Sequence, residues 1–162
     1  MAKGMFDSWT GLRNALAGIN GSTGGYWYSF NAASVLDTIV LPEDGHGLAD
    51  PYLCLPMLEE SEVFNETEQH GIRAVSNHTI FAFVRDSKED PTETDTVKYV
   101  SQLRDDILRL ILTDNTLGGT VFESRPVSAV HVAGLGNAQY GELQLTVEIT
   151  QLVDLNDIGS AA

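Results

Sequence analysis

A chain of 162 residues with 43% hydrophobic and 20% charged residues has the balance of one folded globular domain, not of a disordered segment. Nine Lys and Arg face 23 Asp and Glu, a formal charge of −14, which excludes broad phosphate neutralisation and with it a gripping DNA-binding role or adhesion to an anionic membrane. A single cysteine, Cys54, excludes an internal disulfide and a cysteine-based zinc cluster.

Taken in chain order, Met5, Phe6, Trp9, Leu12, Leu16 and Ile19 recur at helical spacing and predict an N-terminal helix, with Asp7 or Ser8 as its cap. Asn20-Gly21 and Gly24-Gly25 end it. The aromatic run 26–30 and the segment 35–41 both favour strands, and a hairpin around residues 31–33 is expected. Residues 43–51 read as a loop. A short strand is expected over 52–58, with Pro56 placing it at an edge or a bulge. Residues 59–71 are acidic and fit strand extension, loop or both. A strand follows over 72–84, and its unbroken apolar run 80–84 predicts that both faces are covered.

The charged segment 86–94 contains Pro91 and reads as a loop, with Thr92 and Asp95 spaced like a capping box. Val97, Val100, Leu103, Ile107 and Ile111 mark the clearest helix, ending near Asp114-Asn115, with Gly118-Gly119 as the turn out. A strand is expected over 121–132, then a turn at Gly134, Gly136 and Asn137. Leu143, Leu145, Val147 and Ile149 alternate with Gln144, Thr146, Glu148 and Thr150, the pattern of a half-buried antiparallel strand. The whole is an α+β fold, a mainly antiparallel sheet flanked by an N-terminal helix and one long helix. Residues 1–153 form one domain and 154–162 a flexible tail.

No catalytic constellation emerges. His46, His70, His78 and His131 lack metal-ligand spacing, and His131 reads as a strand-face residue. Ser76 and His78 share a strand side, but no elbow motif surrounds the serine, so a polar strand start is the reading. Gly134, Gly136 and Gly141 precede a strand, not a helix, and so form no phosphate cradle. Glu59, Glu60, Glu62, Glu66 and Glu68 lack the loop pattern of a calcium site and read as a solvated face. Cys54, between Leu53 and Leu55, reads as a small core residue. Tyr26, Trp27 and Tyr28 fit either a core or an interface hot spot. No signal-peptide-like run opens the sequence and no stretch reaches the roughly 20 apolar residues of a membrane span, so cytoplasmic synthesis is expected and the sequons at Asn20, Asn65 and Asn77 read as accidental.

The order of features resembles the tail terminator (tail completion) proteins of long-tailed bacteriophages. The likeness is carried by a helix ending at Ile19-Asn20-Gly21, the segment Tyr26-Trp27-Tyr28, Leu55-Pro56-Met57 leading into Glu59-Glu60, and Phe81-Ala82-Phe83-Val84-Arg85-Asp86 running through a Pro91 loop into the long helix. Leu117-Gly118-Gly119-Thr120-Val121 after that helix is its most characteristic passage, and a strand like 143–152 closes such domains. The resemblance implies a non-enzymatic subunit of a hexameric ring that caps the tail tube, stops its growth and offers a surface to the head-side connector, with no cofactor or metal. DNA passes the lumen of such a ring without specific binding, and six copies at −14 each make −84, which keeps that path repulsive.

Contacts to partners are assigned to Tyr26, Trp27, Tyr28, Asp86, Lys88, Glu89 and Asp90, and a lumen-facing position to Glu59, Glu60 and Glu62. The alternatives are a head-tail connector or neck protein of the same virion, recognised by binding the portal side instead of tail-tube protein, and a small ligand-binding or enzymatic domain, recognised by a concave polar pocket.

Overall fold

The computed structural model of the chain describes residues 5–42, 48–57, 62–66, 71–85, 93–132 and 140–154. Two helices, α1 (Met5–Ala17) and α2 (Glu93–Thr113), lie on a sheet of six strands: β1 (Val35–Leu36), β2 (Tyr52–Cys54), β3 (Glu62–Glu66), β4 (Gly71–Arg85), β5 (Glu123–Val132) and β6 (Tyr140–Asp154). The fold is α+β, as the sequence predicts. The turn cluster at 134–137, the loop 86–92 and the tail beyond Asp154 lie outside the described residues.

The long helix forms where the 3.6-residue period is sustained. Val100, Leu103, Ile107 and Ile111 fall on one stripe and are fully or almost fully buried. Val97 and Leu112 are instead 46% and 72% exposed, because they lie beside that stripe: their neighbours Thr96 and Ile111, one residue away around the helix, are buried. In α1 the same rule buries Leu12 and Leu16, with Ile19 just beyond the helix end. Its start differs from expectation. Asp7 and Ser8 lie inside the helix rather than capping it, and Asp7 sits in the first turn, where a carboxylate favours the helix dipole.

β4 and β6 pair antiparallel along their whole lengths, from Gly71↔Asp154 to Arg85↔Tyr140. β5 adds antiparallel to the other side of β6, while β2 and β3 take the two halves of the free side of β4. β1 adds parallel to β2. The pairing leaves β5 as one outer edge of the sheet and β3 and β1 as the other. In β5 the register slips between Pro126 and Ser128, leaving Val127 as the extra residue of a bulge beside a proline that has no N–H to give.

The alternation of β6 holds residue for residue: Leu143, Leu145, Val147 and Ile149 are all fully buried, and the residues between them are half-buried. They meet Ile80 and Ala82 of β4 beneath the helices to form the main core. Gly141 lets α2 come close to β6, since a Cβ there would collide with Val100. On the opposite face Phe83 is buried under Tyr52, whose ring stacks on it at 5.3 Å, with Tyr140 meeting its edge. The run 80–84 is therefore covered on both faces, as its unbroken apolar character predicts.

The expected hairpin of 26–30 with 35–41 does not form. Residues 26–30 belong to no strand, and Asn31 caps a short 3-10 turn (Ala32–Ser34), accepting hydrogen bonds from Ala33 and Ser34 N–H. The reason is tertiary: the Trp27 and Tyr28 amides, at the centre of the aromatic run, donate to Asp106 on α2, and the Phe30 amide donates to the Ile19 carbonyl, so these three are not offered to a strand ladder.

Candidate interaction surface

The loop between α1 and β1 is fixed by one carboxylate. Asp106, on α2 and 1% exposed, accepts the Trp27 N–H on Oδ1 and the Tyr28 N–H on Oδ2, each at 2.9 Å. Burial raises the Asp106 pKa, while the two amide bonds and Arg109 pull it back toward the ionised form. Tyr28 turns inward and its hydroxyl donates to Gln102 at 3.3 Å; burial raises its phenol pKa. The Phe30 N–H donates to the Ile19 carbonyl at 2.9 Å, closing the base of the loop. Tyr26 and Tyr28 pack against the core, while Trp27 is 64% exposed. Sequence reasoning singled out the aromatic run but missed Asp106. The available signal was a carboxylate on the apolar stripe of α2, between Leu103 and Ile107.

The sheet edges carry the second exposed apolar set. On β3, Val63 and Phe64 are 58% and 63% exposed; on β5, Val127 and Val130 are 55% and 53% exposed. Beyond Pro126 the helices cover neither face of β5, so Ala129 and His131 are exposed on the helix side and Ser128 and Val130 on the other. His131 is the strand-face residue expected of it. Near its other end β5 is protected, because the Ser124 N–H donates to the Asn115 carbonyl at 2.7 Å. A strand edge with apolar, uncovered residues is a surface that another strand or chain can cover.

A third feature is a cleft of about 330 Å³ between α1 and the C-terminal end of α2, walled by Gly11, Asn14, Ala15, Leu110, Leu117 and Thr120. Leu117, Gly118 and Gly119, at φ +50°, +73° and +78°, make the left-handed turn out of α2, with the Leu117 side chain buried in the main core. Asp114 at its rim accepts the Thr116 hydroxyl at 2.6 Å and the amides of Thr116 and Gly118, and these bonds lower its pKa.

Ser76 Oγ and His78 Nε2 share a hydrogen bond of 2.9 Å, and both residues are buried on the helix side of β4. This corrects the reading of 76–78 as a polar strand start: the pair sits in mid-strand, opposite Ile149 and Val147. Burial lowers the His78 pKa to about 4. Cys54 is buried, as expected, and burial raises its thiol pKa. Among the described residues no group of three or more His, Cys, Asp or Glu could hold a metal ion, and no helix is long and apolar enough to cross a membrane.

Of the predicted contact residues, Tyr26, Trp27 and Tyr28 are brought together on α2, and Trp27 points outward. Asp86, Lys88, Glu89 and Asp90 lie outside the described residues, as do Glu59 and Glu60. Glu62 opens β3, half-buried and paired with Ser76.

No family model and no curated protein matches the chain. Among solved structures it is similar to a chain of the "Virion of native gene transfer agent (GTA) particle", with 10% identity, a TM-score of 0.41, and coverage of 75% of this chain and 80% of that one.

Proposed function

We propose that the chain is a non-enzymatic building block of a bacteriophage tail, of the terminator type, acting as one copy in a closed, six-membered ring that caps the tail tube and joins tail to head. The observation that carries this reading is the placement of exposed apolar side chains at opposite edges of one sheet, Val63 and Phe64 on β3 and Val127 and Val130 on β5. Two different patches that cover each other between copies make a heterologous interface, which closes into a ring when the rotation fits. Strand addition supplies the chemistry, since main-chain groups give affinity and the side chains between them give register.

The order of sequence features that resembles tail terminators supports the position in the virion, and the charge supports the lumen. An acidic wall lets DNA pass without neutralising it. The chain's role is carried by packing surfaces instead of reactive groups, and it needs no cofactor. The partners are tail-tube protein on one side and a connector on the other. The test is the mass of the native assembly, alone and with tail-tube protein. A ring that binds the end of the tube and halts its growth is the expected result; binding to the portal side alone would assign the chain to the connector instead.

A further inference from the structure

Of the eight asparagines in the chain, only Asn20 precedes a glycine. That pairing is the one most prone to deamidate, because glycine has no Cβ to shield its backbone nitrogen from the neighbouring carboxamide. Asn20 is exposed, so water reaches it. Packing favours the glycine: a Cβ at Gly21 would crowd the Tyr26 carbonyl oxygen at 3.0 Å and that of Tyr28 at 3.2 Å. The fold therefore keeps the reactive pair, and it also restrains it. The Gly21 N–H donates to Ser29 Oγ, the Ser22 N–H donates to Asn20 Oδ1, and the Gly24 N–H donates to the Asn20 carbonyl, each at 2.9 Å. Attack by the Gly21 nitrogen needs its proton to leave and the Asn20 side chain and backbone to turn toward it. Each of the three bonds opposes one of those changes.

We infer that Asn20 is a site of spontaneous deamidation whose rate Ser29 sets, and that its conversion loosens the loop carrying Trp27. The reaction needs only water. The Gly21 nitrogen gives its proton to solvent and bonds to Asn20 Cγ; the bond from Cγ to the side-chain nitrogen breaks, and that nitrogen takes up a proton and leaves as ammonia. Water then opens the cyclic imide. Opening at Cγ yields aspartate; opening at the main-chain carbonyl yields isoaspartate, which puts one extra carbon into the backbone between residues 20 and 21. Either product adds a negative charge. Ser29 restrains the first step because a serine hydroxyl accepts the Gly21 N–H without being basic enough to remove its proton. The loop is closed at this place, by the Gly21–Ser29 bond and by the Phe30 N–H donating to the Ile19 carbonyl at 2.9 Å. A longer backbone between Ile19 and Gly21 spoils the spacing of those two closures, and leaves the Trp27 segment to Asp106.

Peptide-resolved mass spectrometry of the full chain, aged at mildly alkaline pH, follows the conversion of Asn20. The same chain in guanidinium chloride gives the unrestrained rate. Asn20 is expected to convert more slowly in the folded chain than in denaturant. Ser29→Ala, at an exposed position, should speed the folded chain about fivefold, the factor that one net hydrogen bond sets. Ser29→Thr keeps the hydroxyl and should match the unchanged chain, with circular dichroism establishing that both variants are folded. An Asn20 that stays intact even in denaturant, or that converts equally fast in both states, overturns the site. A Ser29→Ala chain that ages at the unchanged rate, or a Ser29→Thr chain that ages as fast as Ser29→Ala, overturns the role of Ser29. The isoaspartate fraction, separated by anion exchange through its added charge, should show Trp27 more open to acrylamide, with the Trp9 signal taken from a Trp27→Phe chain. Unchanged quenching in that fraction overturns the loosening.

Discussion

Asp106 shows how one side chain can decide the conformation of a distant segment. Its two oxygens are separated by 79 and 78 residues from the amides they accept. Asp106→Ala leaves those two N–H groups without their acceptor and is expected to cost about 1–3 kcal/mol in chemical denaturation. It should also raise the quenching of Trp27 fluorescence by acrylamide, measured against a Trp27→Phe control that isolates the signal of Trp9. A loop whose Trp27 stays equally shielded after the substitution would mean that Asp106 does not set its conformation. His78 makes a different prediction. Its folded pKa is lowered to about 4 from 6.5, so the unfolded chain binds the proton more tightly. The stability His78 contributes is present above pH 6.5 and is lost as the pH falls toward 4, in total on the order of 3 kcal/mol. Urea denaturation between pH 7 and pH 5 should show that slope, and His78→Gln should flatten it. An unchanged slope in the variant would assign the acid sensitivity to other groups.

Elements differ in how plainly the sequence announces them. α2 and β6 are legible because packing on one face imposes a period, 3.6 in Leu103, Ile107 and Ile111 and 2.0 in Leu143 through Ile149. The run 80–84 is legible for the same reason, with cover on both sides. The segment 26–30 is not. Its aromatic residues favour a strand, but a strand needs free amides, and those of Trp27 and Tyr28 go to Asp106 on α2 and that of Phe30 to Ile19. β3 was half-hidden for another reason: Glu-Val-Phe-Asn-Glu has little apolar alternation, and its membership of the sheet comes from its pairing with β4. The candidate surface divides likewise. Trp27 was visible as an unusual aromatic run, whereas the cleft and the sheet edges depend on which strands end the sheet and where the helices stop.

Two substitutions separate element from surface. Val147→Asp places a charge in a fully buried position of β6 and should unfold the domain, with a loss of several kcal/mol. A soluble, native-like product by circular dichroism would contradict the sheet assignment. Val130→Lys, on the outer part of β5 and 53% exposed, should leave stability within about 0.5 kcal/mol of the unchanged chain. It should nevertheless weaken self-association, because a lysine on a strand edge opposes pairing. Sedimentation and a melting curve on the same sample read both outcomes, and unimpaired association would remove β5 from the interface.

At the scale of the whole molecule, charge and assembly are in tension. Each copy carries −14, and bringing copies together concentrates that charge. Salt should therefore favour assembly: the screening length is about 10 Å at 0.1 M and about 3 Å at 1 M, so repulsion across the rest of the surface fades while buried apolar contacts persist. A ring held mainly by ion pairs would respond in the opposite direction. Titration of assembly against sodium chloride, followed by light scattering, distinguishes the two.

The measurement that bears most directly on the central claim is the native mass of the purified full chain, taken across a concentration series with and without tail-tube protein. A closed assembly of six copies that adds to the end of the tube and stops its extension is the predicted result. A chain that remains monomeric at every concentration, and ignores tail-tube protein, would contradict the account.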